Sequence, residues 1–435
     1  MNVLWQQPWW VLVFFVIGVA GIATAIVSLF FALGRRPPKM VATEVPPVTS
    51  ANFLECLAGT VNAPLQKGGR ATLLNNGDEF YPAMLDAIRS AEQSINFMVY
   101  IWEPGEASDQ MFDALLERAR AGVEVRMLLD GLGGRQAPDD RVEELRSAGG
   151  KVRYFRLLRI GKLMRFHKRN HRRAIVIDGR VGFTGGAAVA DKWLGNAEDP
   201  DHWRESMVRV SGCLATNLQS AFAEVWTATQ GEILAGPAFF PVEHEPDGEG
   251  EEISHHVHVI SSPSAEAHPL RPVFWLSFRA ARERLYITSP YFVPDKHLRA
   301  VIEERARAGV DVRILLPNEK NDVGPVRWAS HSYYEELLKE GVRIWEYQPT
   351  MMHAKQMVVD GAWSVVGSAN MDVRSKELNL ENVLGILDRR FGKQLESTFL
   401  ADLERATEIR LDEWRQRGIG HRVLERVAVL FAEQM

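Results

Sequence analysis

The residues of this chain predict two tandem α/β domains behind one apolar N-terminal helix, and three observations carry that prediction. Short apolar runs alternate with amphipathic stretches of helical spacing along most of its 435 residues. The order of these elements occurs twice, and part of the text repeats: Glu117-Arg-Ala-Arg-Ala-Gly-Val-Glu-Val-Arg126 stands beside Glu304-Arg-Ala-Arg-Ala-Gly-Val-Asp-Val-Arg313. From Pro8 to Gly34 there is no charged residue.

The apolar run comes first. About 25 residues at 1.5 Å each make about 37 Å of helix, enough to span a bilayer with some tilt. Trp5, Trp9 and Trp10 mark one end as an aromatic belt, and Arg35, Arg36 and Lys39 mark the other as cytoplasmic. A cleaved signal peptide would want positive charge before a shorter apolar core. Residues 1–39 are therefore expected to form a retained single-pass anchor in the cell membrane, with the remaining domains facing the cytoplasm. Residues 40–52 read as a tether.

The first domain is expected over 53–242. Strands are predicted at 71–74, 94–101, 123–129 and 151–155, with helices at 79–91, 110–121 and 141–148 between them. The second, over 254–435, repeats the order with strands at 285–292, 310–315 and 342–347 and helices at 298–308 and 332–340. The repeat period, near 180 residues, is too long for a solenoid. Residues 243–253 between the copies are acidic with Pro and Gly, and read as an exposed linker.

Composition narrows the function. The chain is 46% hydrophobic and 25% charged, with a net charge of −5. No global positive field draws it to nucleic acid, so attraction to phosphate must come from local patches. The two cysteines, Cys56 and Cys213, make neither a disulfide framework nor a metal knot. His255, His256 and His258 flank a strand candidate with no group nearby to complete a ligand set.

Each copy ends in a distinctive run. The second reads His353-Ala-Lys355-Gln-Met-Val-Val-Asp360-Gly and then Gly367-Ser368-Ala-Asn370; the first reads His171-Arg-Arg173-Ala-Ile-Val-Ile-Asp178-Gly and then Gly185-Gly-Ala-Ala188. The two-residue period of a strand places histidine and cation on one face. An imidazole beside a fixed cation suits attack on a phosphodiester, the ring as nucleophile and the cation on the non-bridging oxygens. The Gly-Ser-x-Asn turn offers a hydroxyl and an amide to the same phosphate. One His-x-Lys carries little information; two at matching offsets in a duplicated domain carry much more.

These runs resemble the paired His-x-Lys-x4-Asp motifs of the phospholipase D superfamily, and the surrounding text is similar to its bacterial cardiolipin synthase branch. Leu73-Leu-Asn-Asn-Gly-Asp-Glu79, Tyr100-Ile-Trp102, Gly182-Phe-Thr-Gly-Gly186, Ser289-Pro-Tyr-Phe-Val-Pro-Asp295 and Leu378-Asn-Leu-Glu381 carry the likeness, which covers about residues 53 to 420. It implies two phospholipase D-like α/β sandwich domains packed as a pseudo-dimer, with His171 and His353 lining one pocket. It implies attack on phosphorus by His171, a phosphohistidine intermediate, and acid–base work by His353. It implies that Glu205 and Glu381 orient the histidines through the far ring nitrogen, and that no metal or cofactor is needed. The implied reaction joins two phosphatidylglycerols into cardiolipin with glycerol released, at a membrane and without nucleic acid. Asp178 and Asp360 belong either to the site or to ordinary Asp-Gly turns that hold strand ends.

The first copy departs from the pattern at Arg173, where Lys is usual, and at Ala188, where Asn is usual; Arg keeps the charge but presents a planar fork. The single anchor departs from the pair of spans common in the branch. The dense basic run from Arg153 to Arg173 is expected to meet anionic headgroups. The tail over 423–431 either lies on the membrane or packs on the domain. Two rival readings stand beside the transferase: a phospholipase D-type hydrolase, and a lipid-binding protein whose first half-site has lost catalysis.

Overall fold

The computed structural model describes residues 38–157, 168–242, 254–262 and 268–431, with a few positions between 9 and 21. The elements of the first part are α1 (Ala51–Val61), β1 (Leu65–Lys67), β2 (Arg70–Asn75), α2 (Asn76–Arg89), β3 (Ser94–Val99), α3 (Glu106–Arg120), β4 (Glu124–Asp130), α4 (Asp139–Ser147), β5 (Lys151–Phe155), β6 (Ala174–Ile177), β7 (Val181–Gly185), β8 (Ser206–Ser211) and α5 (Cys213–Gln230). The second part contains β9 (His255–Ser261), α6 (Leu270–Ala280), β10 (Arg284–Thr288), α7 (Lys296–Arg307), β11 (Asp311–Pro317), α8 (Gly324–Lys339), β12 (Arg343–Tyr347), β13 (Gln356–Val359), β14 (Trp363–Gly367), α9 (Val373–Glu377), β15 (Glu381–Leu387), α10 (Arg389–Glu404), β16 (Ala406–Ile409), α11 (Leu411–Arg415) and α12 (Ile419–Phe431).

Local chemistry explains the boundaries. Glu79 reaches back to the Asn75 N–H (2.8 Å) to close the start of α2, and Asp295 accepts the N–H groups of His297 and Leu298 at the start of α7. The repeated Ala-Gly-Val text ends α3 and α7 alike: Gly122 and Gly309 take φ of 90° and 88°, a conformation that suits glycine. The strand expected over 285–292 stops at Thr288 because Pro290 cannot continue the ladder, and the helix expected over 332–340 begins earlier, at Gly324.

Two mixed sheets result, ordered β2-β8-β7-β6-β3-β4-β5 and β1-β9-β15-β14-β13-β10-β11-β12-β16. Strand for strand, the first matches the middle of the second, which confirms the duplication. In each, β3-β4-β5 or β10-β11-β12 run parallel and the rest antiparallel. β3 is buried at every residue, as a central strand covered on both faces should be. Helices α2–α4 cover the outer face of the first sheet, and α1, α6, α7 and α8 that of the second. The inner faces share one core, in which Met98 and Val208 of one sheet meet Leu315 and Leu384 of the other around Phe222 of α5 and Phe399 of α10.

Two expectations need correction. Residues 40–52 are no loose tether, because Val45 and Val48 are buried in the core of the second lobe and Arg282 donates to the Val45 carbonyl. The first domain does not begin at 53 either. Phe53, Leu54 and Leu57 of α1 pack into that same core, and β1 pairs antiparallel with β9, Leu65 opposite Val257. An amphipathic helix and an open sheet edge both need cover, and this segment meets both needs in the lobe farther along the chain.

The acidic linker lies outside the described residues. So does most of the expected N-terminal anchor, and among the described residues no helix is long and apolar enough to cross a membrane. The tail packs on the domain: α12 lies along α8, with Ala428 buried against Val293, Val326 and Ala329.

Candidate active site

The strands β6 and β13 hold equivalent places, each the first strand of a hairpin (with β7 and with β14), and the residues just before each cross to the other copy. The His171 N–H donates to the Leu380 carbonyl (2.9 Å) and the Leu380 N–H to the Arg169 carbonyl (2.8 Å). The matching pair is His353 N–H to the Arg204 carbonyl (2.8 Å) and Arg204 N–H to the Met351 carbonyl (2.9 Å). Each bridge sets a histidine beside the residue that follows in the opposite chain segment, and in both cases that residue is a glutamate. His171 Nδ1 lies 3.0 Å from both carboxylate oxygens of Glu381, and His353 Nδ1 lies 2.6 Å from Glu205 Oε2. Neither copy holds a complete histidine–glutamate pair of its own.

The cations sit between the pairs. Lys355 Nζ donates to the His353 carbonyl (2.6 Å) and lies 3.0 Å from both ring nitrogens. Arg173 is buried; its Nη1 donates to the His171 carbonyl (2.5 Å) and its Nε to the Ala187 carbonyl (3.4 Å), while Nη2 has no partner among the described residues. A buried guanidinium donor without an acceptor suits a phosphate oxygen. The Asn370 side-chain carbonyl is also buried without a partner. Ser368 Oγ donates to Glu381 Oε2 (2.5 Å), and its own N–H holds the Asn382 carbonyl (2.9 Å). In the first copy Gly186 takes the place of Ser368, and a Cβ there would come within 2.4 Å of Glu205 Oε2.

Burial and charge divide the pairs. Burial, reinforced by Arg173, lowers His171 to about 4. Burial alone would raise Glu381, but His171 and the hydrogen bonds from His171 and Ser368 bring it below the usual carboxylate value. Burial and the Lys355 charge hold His353 well below an ordinary imidazole. Glu205 goes the other way: burial raises it to about 7 against Lys355 and the Ser206 N–H. Burial also lowers Lys355 to about 7. At neutral pH both rings are thus uncharged, Glu381 is a carboxylate, and Glu205 is close to half-protonated.

Aromatic rings wall the site. Tyr100 meets the His171 ring edge-on at 5.1 Å, and Trp193 and Trp203 meet His353 at 5.4 and 5.2 Å. Lys192 lies over both tryptophans. Tyr100 stood within a motif that the sequence brought forward, and Trp203 stands two residues before Glu205; Trp193 lacked any signal of pattern or spacing.

Other expected residues lie elsewhere. The Asp178 carboxylate accepts the N–H groups of Glu92, Gln93 and Ser94, and that of Asp360 accepts those of Arg282, Glu283 and Arg284. Each takes a left-handed φ in the turn at the far end of its strand, 52° and 51°. A strand of four residues carries them about 13 Å from the histidine end. The turn reading is therefore the correct one for both. Ala188 lends its carbonyl to Tyr81 Oη (3.0 Å) in place of an amide. The basic run is not one headgroup-facing loop. Arg169 and Arg172 are buried and pair with Asp130 and Glu224, Arg153 reaches Gln230, and Arg159, Lys162 and Arg165 lie outside the described residues. Glu198, Asp199 and His202, on the loop before Trp203, are grouped closely enough to hold a cation, but His202 Nδ1 already pairs with Asp199 at 2.9 Å.

The family described as "Cardiolipin synthase, PLD-like domain" matches residues 84–226 and 277–403, one match in each copy. The chain is 32% identical to cardiolipin synthase 2 of Bacillus anthracis over 84% of its own length and 70% of that protein's. It is 33% identical to the cardiolipin synthase of Geobacillus sp. (strain WCH70) over 85% and 73%. Among solved structures, the phosphatidylserine synthase of Haemophilus influenzae shares the fold at a TM-score of 0.66 and 15% identity, covering 87% of this chain and 97% of that one. Over most of its length, and in both copies of its repeat, the chain belongs to the cardiolipin synthase family of phospholipase D-like proteins.

Proposed function

We propose that the protein makes cardiolipin by transphosphatidylation, moving a phosphatidyl group from one phosphatidylglycerol to another through a phosphohistidine on His171. The observation that carries this reading is the pair of buried, uncharged histidines, each bonded to a glutamate of the other copy, around an Arg173 donor with no acceptor among the described residues.

With Nδ1–H given to Glu381, His171 keeps the Nε2 lone pair for phosphorus. As the N–P bond forms, the P–O bond to glycerol breaks. The leaving oxygen takes a proton from His353 Nε2, while Nδ1 takes one from Glu205 across their 2.6 Å bond. Arg173 and Lys355 hold the non-bridging oxygens, where negative charge grows, and Asn370 lies at the same turn. In the second half the hydroxyl of another phosphatidylglycerol returns its proton to the His353–Glu205 pair. Its oxygen attacks phosphorus, the N–P bond breaks, and cardiolipin leaves. Ser368 acts through Glu381.

The N-terminal run is the membrane anchor in this reading, and the lobes face the cytoplasm. Exposed Trp9, Phe14, Phe15 and Val16 support a lipid-facing segment. The test is a lipid profile by mass spectrometry in a bacterial host lacking its own cardiolipin synthases. Cardiolipin is expected with the intact protein and absent with His171→Ala or His353→Ala. Phosphatidic acid without cardiolipin would make the protein a hydrolase, and neither product from membrane-inserted protein would overturn the reading.

A further inference from the structure

The tail helix α12 turns two different faces outward and inward. Glu425 and Ala428 point into the domain: Ala428 joins the cluster of Val293, Val326 and Ala329, and Glu425 is held by Arg417 at 2.8 and 2.9 Å. Ile419, Val423 and Val427 fall at i, i+4 and i+8 on the opposite side, 80%, 54% and 46% exposed, with Leu424 beside them. Arg422 and Arg426 flank this apolar stripe and are exposed as well. A helix already packed on a domain has no need of an apolar outer stripe bordered by arginines unless that stripe meets something apolar with anionic edges.

Its location specifies what it meets. The cluster that seats Ala428 includes Val293 and, at its edge, Tyr291 and Val323. The Tyr291 hydroxyl donates to Asp322 (2.8 Å), and the Val293 N–H donates to the carbonyl of Met371 (2.9 Å), the residue after Asn370, so the cluster that seats α12 adjoins the turn that carries Asn370. Two residues past Val293, Asp295 receives Arg271 and Lys376, both at 3.1 Å, and Arg271 Nη1 donates to the Pro38 carbonyl (2.9 Å). Pro38 is the first described residue after the apolar N-terminal run. The chain leaving that run is thus tied to the same short segment, residues 293–295, on which α12 is seated.

We propose that the outer face of α12 rests in the surface of an anionic phospholipid bilayer and holds the mouth of the pocket against it, so that lipid enters from the membrane plane. Ile419, Val423 and Val427 enter the acyl boundary, and Arg422 and Arg426 stay at the phosphates. The proposal rests on the reading of the protein as a phospholipid enzyme.

The test uses the full chain carrying Cys56→Ser and Cys213→Ser, with one new cysteine at Val423, at Val427 or at the remote, exposed Glu143, labelled with a polarity-sensitive dye. It is reconstituted in vesicles of equal parts phosphatidylglycerol and phosphatidylcholine, with or without acyl-chain bromine. Bromolipid is expected to quench the 423 and 427 labels by about half and leave the 143 label unchanged. Unquenched labels at 423 and 427 in membrane-bound protein would overturn the proposal. So would quenching that disappears on dilution with unlabelled protein, which would make the face a contact between copies. This readout needs no turnover and stands apart from the enzymatic reading. A second measurement compares substrates for the combined variant Ile419→Ser, Val423→Ser, Val427→Ser. Turnover of vesicle phosphatidylglycerol should fall about tenfold as apolar burial is lost, while turnover of a monomeric short-chain phosphatidylglycerol stays unchanged. Equal loss on both substrates, or loss on neither, would overturn it.

Discussion

Glu381 and Glu205 hold matching places beside the two histidines and are raised alike by burial, yet their neighbours leave them with opposite proton affinities. Both are fully buried, and both face an imidazole Nδ1. One difference is the turn next to them. In the second copy Ser368 gives its hydroxyl to Glu381, and the charge on that carboxylate is shared over several donors. In the first copy the equivalent position is Gly186, packed so closely on Glu205 that a side chain has no room, and among the described residues the Ser206 N–H is the one neutral donor to Glu205 apart from His353. The charge and hydrogen bond of His171 do most to keep Glu381 a carboxylate, and the Ser368 hydroxyl adds a donor for which Glu205 has no counterpart at Gly186. In the proposed reaction the duplicated fold thus supplies two unlike tools: a pair that attacks phosphorus, and a pair that gives and takes a proton.

The largest expected effect breaks that comparison outright. His171→Ala should lower transfer roughly 10⁴-fold or more and leave no phosphatidyl group on the protein. His353→Ala should cost roughly 10²- to 10⁴-fold with phosphatidylglycerol, but still form a trapped phosphoenzyme from a nitrophenyl phosphatidyl ester, whose leaving group needs no proton. Mass spectrometry of the quenched protein reads the adduct; an adduct that requires His353 and not His171 would exchange their roles.

The pH profile sharpens the comparison. His171 must be neutral, so activity should fall as pH drops through about 4. The proton of the Glu205–His353 pair and the charge of Lys355 must be present, so activity should fall as pH rises through about 7. Ser368→Ala removes a donor that favours the Glu381 carboxylate, so the acidic limb should move to higher pH while the basic limb stays in place. A profile of kcat against pH for both proteins checks this, and movement of the basic limb alone would show that Ser368 does not set the difference.

Arg173→Lys makes the first half-site look more like the second. The substitution loses the bonds from Nε and Nη1 to the Ala187 and His171 carbonyls, which aim Nη2. Turnover should fall about tenfold rather than rise, and a gain would mean the fork is merely tolerated. The smallest effect on catalysis is expected at the paired turns. Asp178→Asn and Asp360→Asn should each cost about 1–3 kcal/mol of stability through weakened bonds to buried backbone, read as a lower denaturant midpoint, with kcat of the folded protein unchanged. A loss of kcat at full stability would return these residues to the site.

Much of this was legible in the residues. Strand and helix order followed from apolar periodicity, and the duplication from repeated text, because both are local properties that survive in any context. His171, Arg173, His353, Lys355, Ser368 and Asn370 stood out by spacing, since short strands force their order along the chain. Asp178 and Asp360 stood at the same spacing and yet belong to turns, because a strand of four residues separates its ends as surely as it aligns its faces.

The chain by itself determined that there are two copies of one α/β unit, each with an imidazole and a cation ahead of a hairpin. Only the tertiary structure decided which glutamate serves which histidine. That pairing is made by backbone bridges between segments far apart in sequence, Asn170 with Leu380 and Arg204 with Met352. It also decided that residues 51–67 complete the second lobe, and that Arg169 and Arg172 are structural while Arg173 faces the site. Burial set the proton affinities, because desolvation depends on what lies all around a group, and no neighbour in sequence records that.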